Sequence, residues 1–112
     1  MFGMTQINNL SVEELNEKIT KGSAPVVVDV RENEELAQAP FSHEVIHIPL
    51  GHLPDRLNEF DKDEEIVFMC HLGGRSLQAT QFFQENGFEN VWNLRGGIDA
   101  WSKQVDSSIP RY

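Results

Sequence analysis

Apolar residues recur along this chain in two alternating rhythms. Short continuous runs such as "VVVDV" (Val26–Val30) and "IVFM" (Ile66–Met69) are rich in β-branched residues, as strands buried on both faces are. Between them lie segments with helical spacing. In "LSVEELNEKITKG", Val12, Leu15 and Ile19 share one face, Ser11 and Glu14 are spaced as a capping box, and Gly22 is a stop signal. "RENEELAQA" predicts a short helix ended by Pro40, and "EVIHIPL" a short strand stopped by Pro49. "LPDRLNEF" predicts a short helix with Pro54 in its first turn. After the strand "EIVFMC" comes the helix "RSLQATQFFQENG", with Gly87 at its C′ position. "NVWNL" is read as the last strand and "GIDAWSKQV" as the last helix. "MTQI" near the start is a candidate first strand, and the tail "DSSIPRY" has no periodicity.

Strands alternating with helices imply an α/β fold: a parallel β-sheet flanked by helices on both faces. Sites in such sheets form at the carboxyl ends of strands, where loops run into helix N-termini. Cys70, the Asp29–Arg31 segment and the Gly96–Gly97 pair all fall at such ends.

Composition narrows the function classes. The 112 residues fit one domain, read as spanning residues 1–112, and 39% hydrophobic content suffices for one modest core. A net charge of −9 argues against nucleic acid and anionic membrane as partners. One cysteine excludes an internal disulfide or a cysteine-rich zinc site. The start has no signal-peptide pattern, and no apolar run approaches a membrane span. The expectation is a cytoplasmic protein whose thiol stays reduced.

That thiol sits in a suggestive place. Between the strand ending at Cys70 and the helix beginning near Arg75 lie only His71, Leu72, Gly73 and Gly74. Two glycines permit positive φ, so successive amide N–H groups can point inward as an anion-binding concavity. Unpaired N–H groups in the next helix's first turn add to it. Arg75, and His71 when protonated, bring positive charge. Such a loop suits a thiolate and an anionic sulfur or oxygen species bound to it. The alternative is a small buried hydrophobe ending a strand before a tight turn. It leaves unexplained the glycines, the arginine and the helix start, all in register after the thiol.

"VVVDVRENEEL" (Val26–Leu36), "IVFMCHLGGRS" (Ile66–Ser76) and "NGFENVWNLRGGIDAW" (Asn86–Trp101) together resemble the rhodanese family of sulfurtransferases, in the family's order. The resemblance implies a rhodanese-like fold and transfer of sulfane sulfur through a cysteine persulfide, without a cofactor. It makes Cys70 the nucleophile. The segment His71, Leu72, Gly73, Gly74, Arg75 and Ser76 would bind the sulfur anion. A small anionic donor such as thiosulfate would load Cys70, and cyanide, a thiol or a sulfur-carrier protein would accept. With no second cysteine, the persulfide must be resolved by another molecule. Arg75 is assigned to orienting the donor or to bracing the loop. Two departures stand out. Where members often carry "GHIPGAINIP", this chain has "APFSHEVIHIPLGH", which bears on substrate choice. Many members also have Arg or Lys at the position of His71. The ending "GGIDAWSKQVDSSIPRY" is similar to rhodanese domains fused behind molybdopterin-synthase adenylyltransferase-type enzymes, which deliver sulfur to a ubiquitin-like carrier.

Other residues receive plainer readings. Asp29 and Arg31 could line the pocket, but a structural ion pair or helix cap is preferred. His43, His47 and His52 straddle a proline-broken segment and read as ordinary histidines rather than metal ligands. Trp92 and Trp101 are expected in the core. "DKDEE" (Asp61–Glu65) is a solvated turn, with an acidic partner-facing patch as the weaker reading. Two rival functions remain: a cysteine-dependent phosphatase or arsenate reductase of related fold, and a non-catalytic binding module. The first requires five residues between Cys and Arg, and this chain has four. The second is disfavoured by retention of Cys70, Gly73 and Arg75.

Overall fold

The computed structural model describes residues 6–112. Five strands form one parallel sheet: β1 (Asn9–Leu10), β2 (Val26–Asp29), β3 (Ile46–His47), β4 (Ile66–Met69) and β5 (Val91–Leu94), in the order β1-β5-β4-β2-β3. Five helices connect and flank them: α1 (Val12–Thr20), α2 (Asn33–Gln38), α3 (Leu53–Arg56), α4 (Gly74–Glu85) and α5 (Gly97–Gln104).

Strand alternation divides the core. Val28, Phe68 and Cys70 point to the face covered by Leu53 of α3 and by Ala79 and Phe83 of α4. Val27, Val67 and Met69 point to the opposite face, against Val12 and Leu15 of α1 and Ile98 and Trp101 of α5. Helices therefore cover both faces. Among the described residues no helix is long and apolar enough to cross a membrane.

The capping box at α1 forms in both directions: Ser11 Oγ accepts from the Glu14 amide at 3.1 Å, and Glu14 Oε1 from the Ser11 amide at 2.9 Å. Such a cap is worth about 1 kcal/mol. At the end of α4, Gly87 takes φ +90° while the Phe88 amide reaches back to the Phe83 carbonyl at 3.1 Å.

Several elements differ from the sequence expectation. Met4 and Thr5 of "MTQI" lie outside the described residues, and the first strand is Asn9–Leu10, paired with Asn93–Leu94. "LPDRLNEF" is not one helix. A 3₁₀ turn at Leu50–His52 runs into α3, and a second, Leu57–Glu59, follows. Trp92 is only half-buried, with its Nε1 donating to Asn90 Oδ1 at 2.9 Å, whereas Trp101 is fully buried. The aperiodic tail packs down: Ile109 is buried, and its carbonyl accepts from Ser102 Oγ at 2.6 Å.

Candidate active site

Cys70 follows the last residue of β4, at the carboxyl edge of the sheet, with its side chain buried. The loop after it is shaped from outside. The carbonyl of Cys70 accepts from the Ile98 amide at 2.9 Å, and that of His71 from the Asp99 amide at 3.1 Å. Both donors lie in the first turn of α5, where amides lack intrahelical partners. A trans peptide is planar, with its N–H opposite its C=O. Drawing these two carbonyls onto α5 therefore turns the His71 and Leu72 N–H groups the other way.

This explains the two glycines before α5. Gly96 and Gly97 have φ of +81° and +60°. A Cβ on Gly97 would stand 2.4 Å from the His71 carbonyl oxygen and 2.5 Å from that of Cys70. Only a bare backbone approaches the loop this closely. Gly73 plays the matching part on the loop, with φ +107° and room for a Cβ only 3.2 Å from the Gly96 nitrogen.

The Gly73 amide donates to Cys70 Sγ at 3.1 Å. The amides of His71, Leu72, Gly74, Arg75 and Ser76 donate to no acceptor among the described residues. Gly74, Arg75 and Ser76 supply the N-terminal amides of the twelve-residue α4. Sulfur at the head of this turn thus meets one directed N–H and a row of uncommitted ones, a cradle for negative charge. Beneath it Ser76 Oγ lies 3.3 Å from Cys70 Sγ and donates to Asn93 Oδ1 at 2.6 Å. Leu72 is the exposed crest of the loop, and a Cβ on Gly74 would meet open space.

The side chains of His71 and Arg75 turn outward from this arrangement, to partners that local sequence did not reveal. The His71 ring stacks on Tyr112, with centroids 3.9 Å apart and planes 9° apart, and its buried Nε2 has no hydrogen-bond partner. Arg75 grips Glu35 with two bonds, Nη1 to Oε2 at 2.6 Å and Nη2 to Oε1 at 2.8 Å. Tyr112 Oη also donates to Glu35 Oε1 at 3.0 Å, and accepts from Arg31 Nη1 at 3.0 Å. Arg31 is wholly buried and pairs with Asp29, Nη2 to Oδ2 at 2.8 Å. It also donates to the carbonyls of Ala39 and Glu35. The preferred reading of Asp29 and Arg31 as a structural ion pair holds, and the pair docks α2 so that Glu35 meets Arg75.

His43 packs edge-on against Phe41 and Trp101, whereas His47 Nε2 donates to the Arg31 carbonyl at 2.6 Å. No group of three metal-ligating side chains occurs among the described residues.

The Arg75 hydrogen bonds, aided by the Glu32 amide and Tyr112, lower the Glu35 carboxyl from 4.5 to about 2 against the opposing effect of burial. A depressed carboxyl stabilises the fold above its unfolded value and loses that contribution as pH falls through the folded one. Acid titration between about pH 4.5 and 2 should therefore destabilise the native chain. Glu35→Gln should show a flatter stability curve in that interval by denaturant melts; an unchanged curve would contradict the ion pair.

The rhodanese-like domain profile matches residues 11–104. YtwF of Bacillus subtilis is 38% identical over 100 residues, covering 89% of this chain and 95% of that protein. A sulfurtransferase of Allochromatium vinosum is 33% identical over 97 residues, covering 87% and 90%. The human single-domain sulfurtransferase TSTD1 superposes with a TM-score of 0.79 at 26% identity, covering 88% of this chain and 98% of that one. With the matched profile spanning α1 to α5 and both glycine-bearing loops, this chain belongs to the rhodanese-like domain family.

Proposed function

We propose that this protein is a sulfurtransferase that carries sulfane sulfur as a persulfide on Cys70. The observation that carries the reading is the free thiol whose sulfur receives the Gly73 N–H, in a loop whose other amides have no acceptor among the described residues. Cys70 as thiolate attacks the outer sulfur of a donor such as thiosulfate. A new S–S bond forms, the donor's S–S bond breaks, and sulfite leaves with the electron pair. The negative charge moves to the terminal sulfur, where amides of His71, Leu72, Gly74, Arg75 and Ser76 stabilise it as an oxyanion hole does. A thiol or sulfur-carrier protein, or cyanide in an assay, then takes that sulfur and returns Cys70 as thiolate. A carrier acceptor is supported by the resemblance of the tail to carrier-loading rhodanese domains.

A phosphatase is less well supported. Its arginine must clamp the phosphoryl oxygens, and here both terminal nitrogens of Arg75 are committed to Glu35. Thiocyanate production from thiosulfate and cyanide, beside an assay with an aryl phosphate, separates the two. Phosphate hydrolysis without thiocyanate would overturn the reading.

Arg75 on this account braces the loop against α2. Arg75→Ala and Glu35→Gln should then lower kcat/KM for thiosulfate by similar factors, about three- to tenfold each, as expected for one charge-assisted pair. A loss confined to Arg75→Ala would assign the guanidinium to the donor instead.

A further inference from the structure

A polar chain runs from the sheet edge to the underside of the nucleophile. Asn9 Nδ2 donates to the Ile7 carbonyl at 3.3 Å, and Asn93 Nδ2 donates to Asn9 Oδ1 at 2.9 Å. Ser76 Oγ donates to Asn93 Oδ1 at 2.6 Å and lies 3.3 Å from Cys70 Sγ. Each link fixes the direction of the next. A carboxamide whose Nδ2 is committed to one neighbour presents only its oxygen to the other. Asn9 and Asn93 are direct partners in the β1–β5 pairing, so the sheet register holds the two amides together. At the end of the chain the single Ser76 hydroxyl proton is held on Asn93, and Ser76 turns lone pairs toward the sulfur. Asn93 and Ser76 are both buried, leaving no solvent to satisfy the carbonyl if that proton left it.

We propose that Asn93 is a positioning residue that withholds the Ser76 hydroxyl proton from Cys70 and so biases the site toward the loaded state. The inference rests on the persulfide reading above. As a thiol, Cys70 can donate to Ser76 Oγ; on ionisation its proton passes to water. On the Ser76 side the resulting Sγ anion then faces lone pairs rather than a donor, and only the Gly73 amide still bonds it. Transfer of sulfur relieves this, because Sγ becomes the neutral inner atom and the charge moves out to the terminal sulfur among the loop amides. A less stabilised Sγ anion is a better nucleophile and a poorer leaving group. Asn93 thus favours acquisition of sulfur and slows its release to a weak acceptor, a useful bias in a carrier that must hold its cargo until the right thiol arrives.

The test follows both half-reactions separately by rapid quench and intact mass, at pH values where each rate has levelled off. Asn93→Leu keeps the approximate shape and removes the acceptor, freeing the Ser76 hydroxyl to bond the sulfur. Loading from thiosulfate should slow, and unloading to cyanide should quicken. Each change should be about three- to tenfold, the effect of one hydrogen bond to a charged group damped by a Brønsted slope near one half. Asn9→Ala, at a half-buried position, should move both rates the same ways by a smaller factor, and it decides the matter if Asn93→Leu does not fold. Both half-reactions falling together, or neither changing, would overturn the proposal. Failure of the unmodified protein to load at all would instead overturn the persulfide reading on which it rests.

Discussion

Cys70→Ser should leave a folded protein with sulfur transfer reduced at least about a thousandfold, the scale on which loss of a covalent nucleophile acts. Thermal stability should change little, because a hydroxyl at this position still has the Gly73 amide and Ser76 Oγ as partners. The measurement is thiocyanate production alongside a thermal melt. Residual turnover within tenfold of the unmodified protein would place the chemistry elsewhere. No second thiol is available to take over, since Cys70 is the single cysteine of the sequence.

The second large effect is on stability. Asp29→Ala should cost about 3–5 kcal/mol, because it leaves the Arg31 guanidinium buried without its counter-charge. Arg31 would keep its bonds to the Ala39 and Glu35 carbonyls and to Tyr112, all neutral oxygens. For a domain of this length that corresponds to a fall in Tm of about 10–20 °C. The double replacement Asp29→Leu with Arg31→Met should recover part of the loss, since it is the unpaired charge that is expensive. A melt of Asp29→Ala within about 2 °C of the native chain would contradict the role given to this pair.

Where local pattern and tertiary demand agree, the elements are readable from sequence. The buried strands announce themselves because a parallel sheet covered on both faces needs unbroken apolar runs, as in Val26–Val28 and Ile66–Met69. The first strand does not. Asn9–Leu10 has little strand propensity and exists because β5 offers it a partner, with the Asn93 amide bonded to the Asn8 carbonyl and the Arg95 amide to that of Leu10. The divided helix after Pro49 is a further case, where packing of Leu50, Leu53 and Leu57 on the core takes precedence over helical regularity.

The site divides along the same line. The cradle is legible because it is local: a strand end, two glycines and a helix start within a few residues. Its supports are not. Glu35 lies 40 residues from Arg75, and Tyr112 lies 77 from Glu35, distances no spacing rule spans. The Asp29–Arg31 pair is legible from its place after a buried strand, but the full burial of Arg31 and its bonds to Tyr112 and to the Ala39 carbonyl are not. The glycine pair at 96–97 was visible as a motif, but its reason, the approach to the Cys70 and His71 carbonyls, needs the third dimension. Asn93 could have been suspected, since a polar residue in the last strand must find a partner once buried.

The central claim is that Cys70 holds sulfur as a persulfide. Its most direct test is the intact mass of the protein after incubation with thiosulfate in the absence of reductant. The account predicts a gain of one sulfur atom, removed by cyanide and never acquired by Cys70→Ser. With no second thiol in the chain, the adduct cannot collapse into an internal disulfide and should persist through the measurement. No adduct from thiosulfate or from a persulfidated small thiol, with the protein folded and the thiol free, would contradict it.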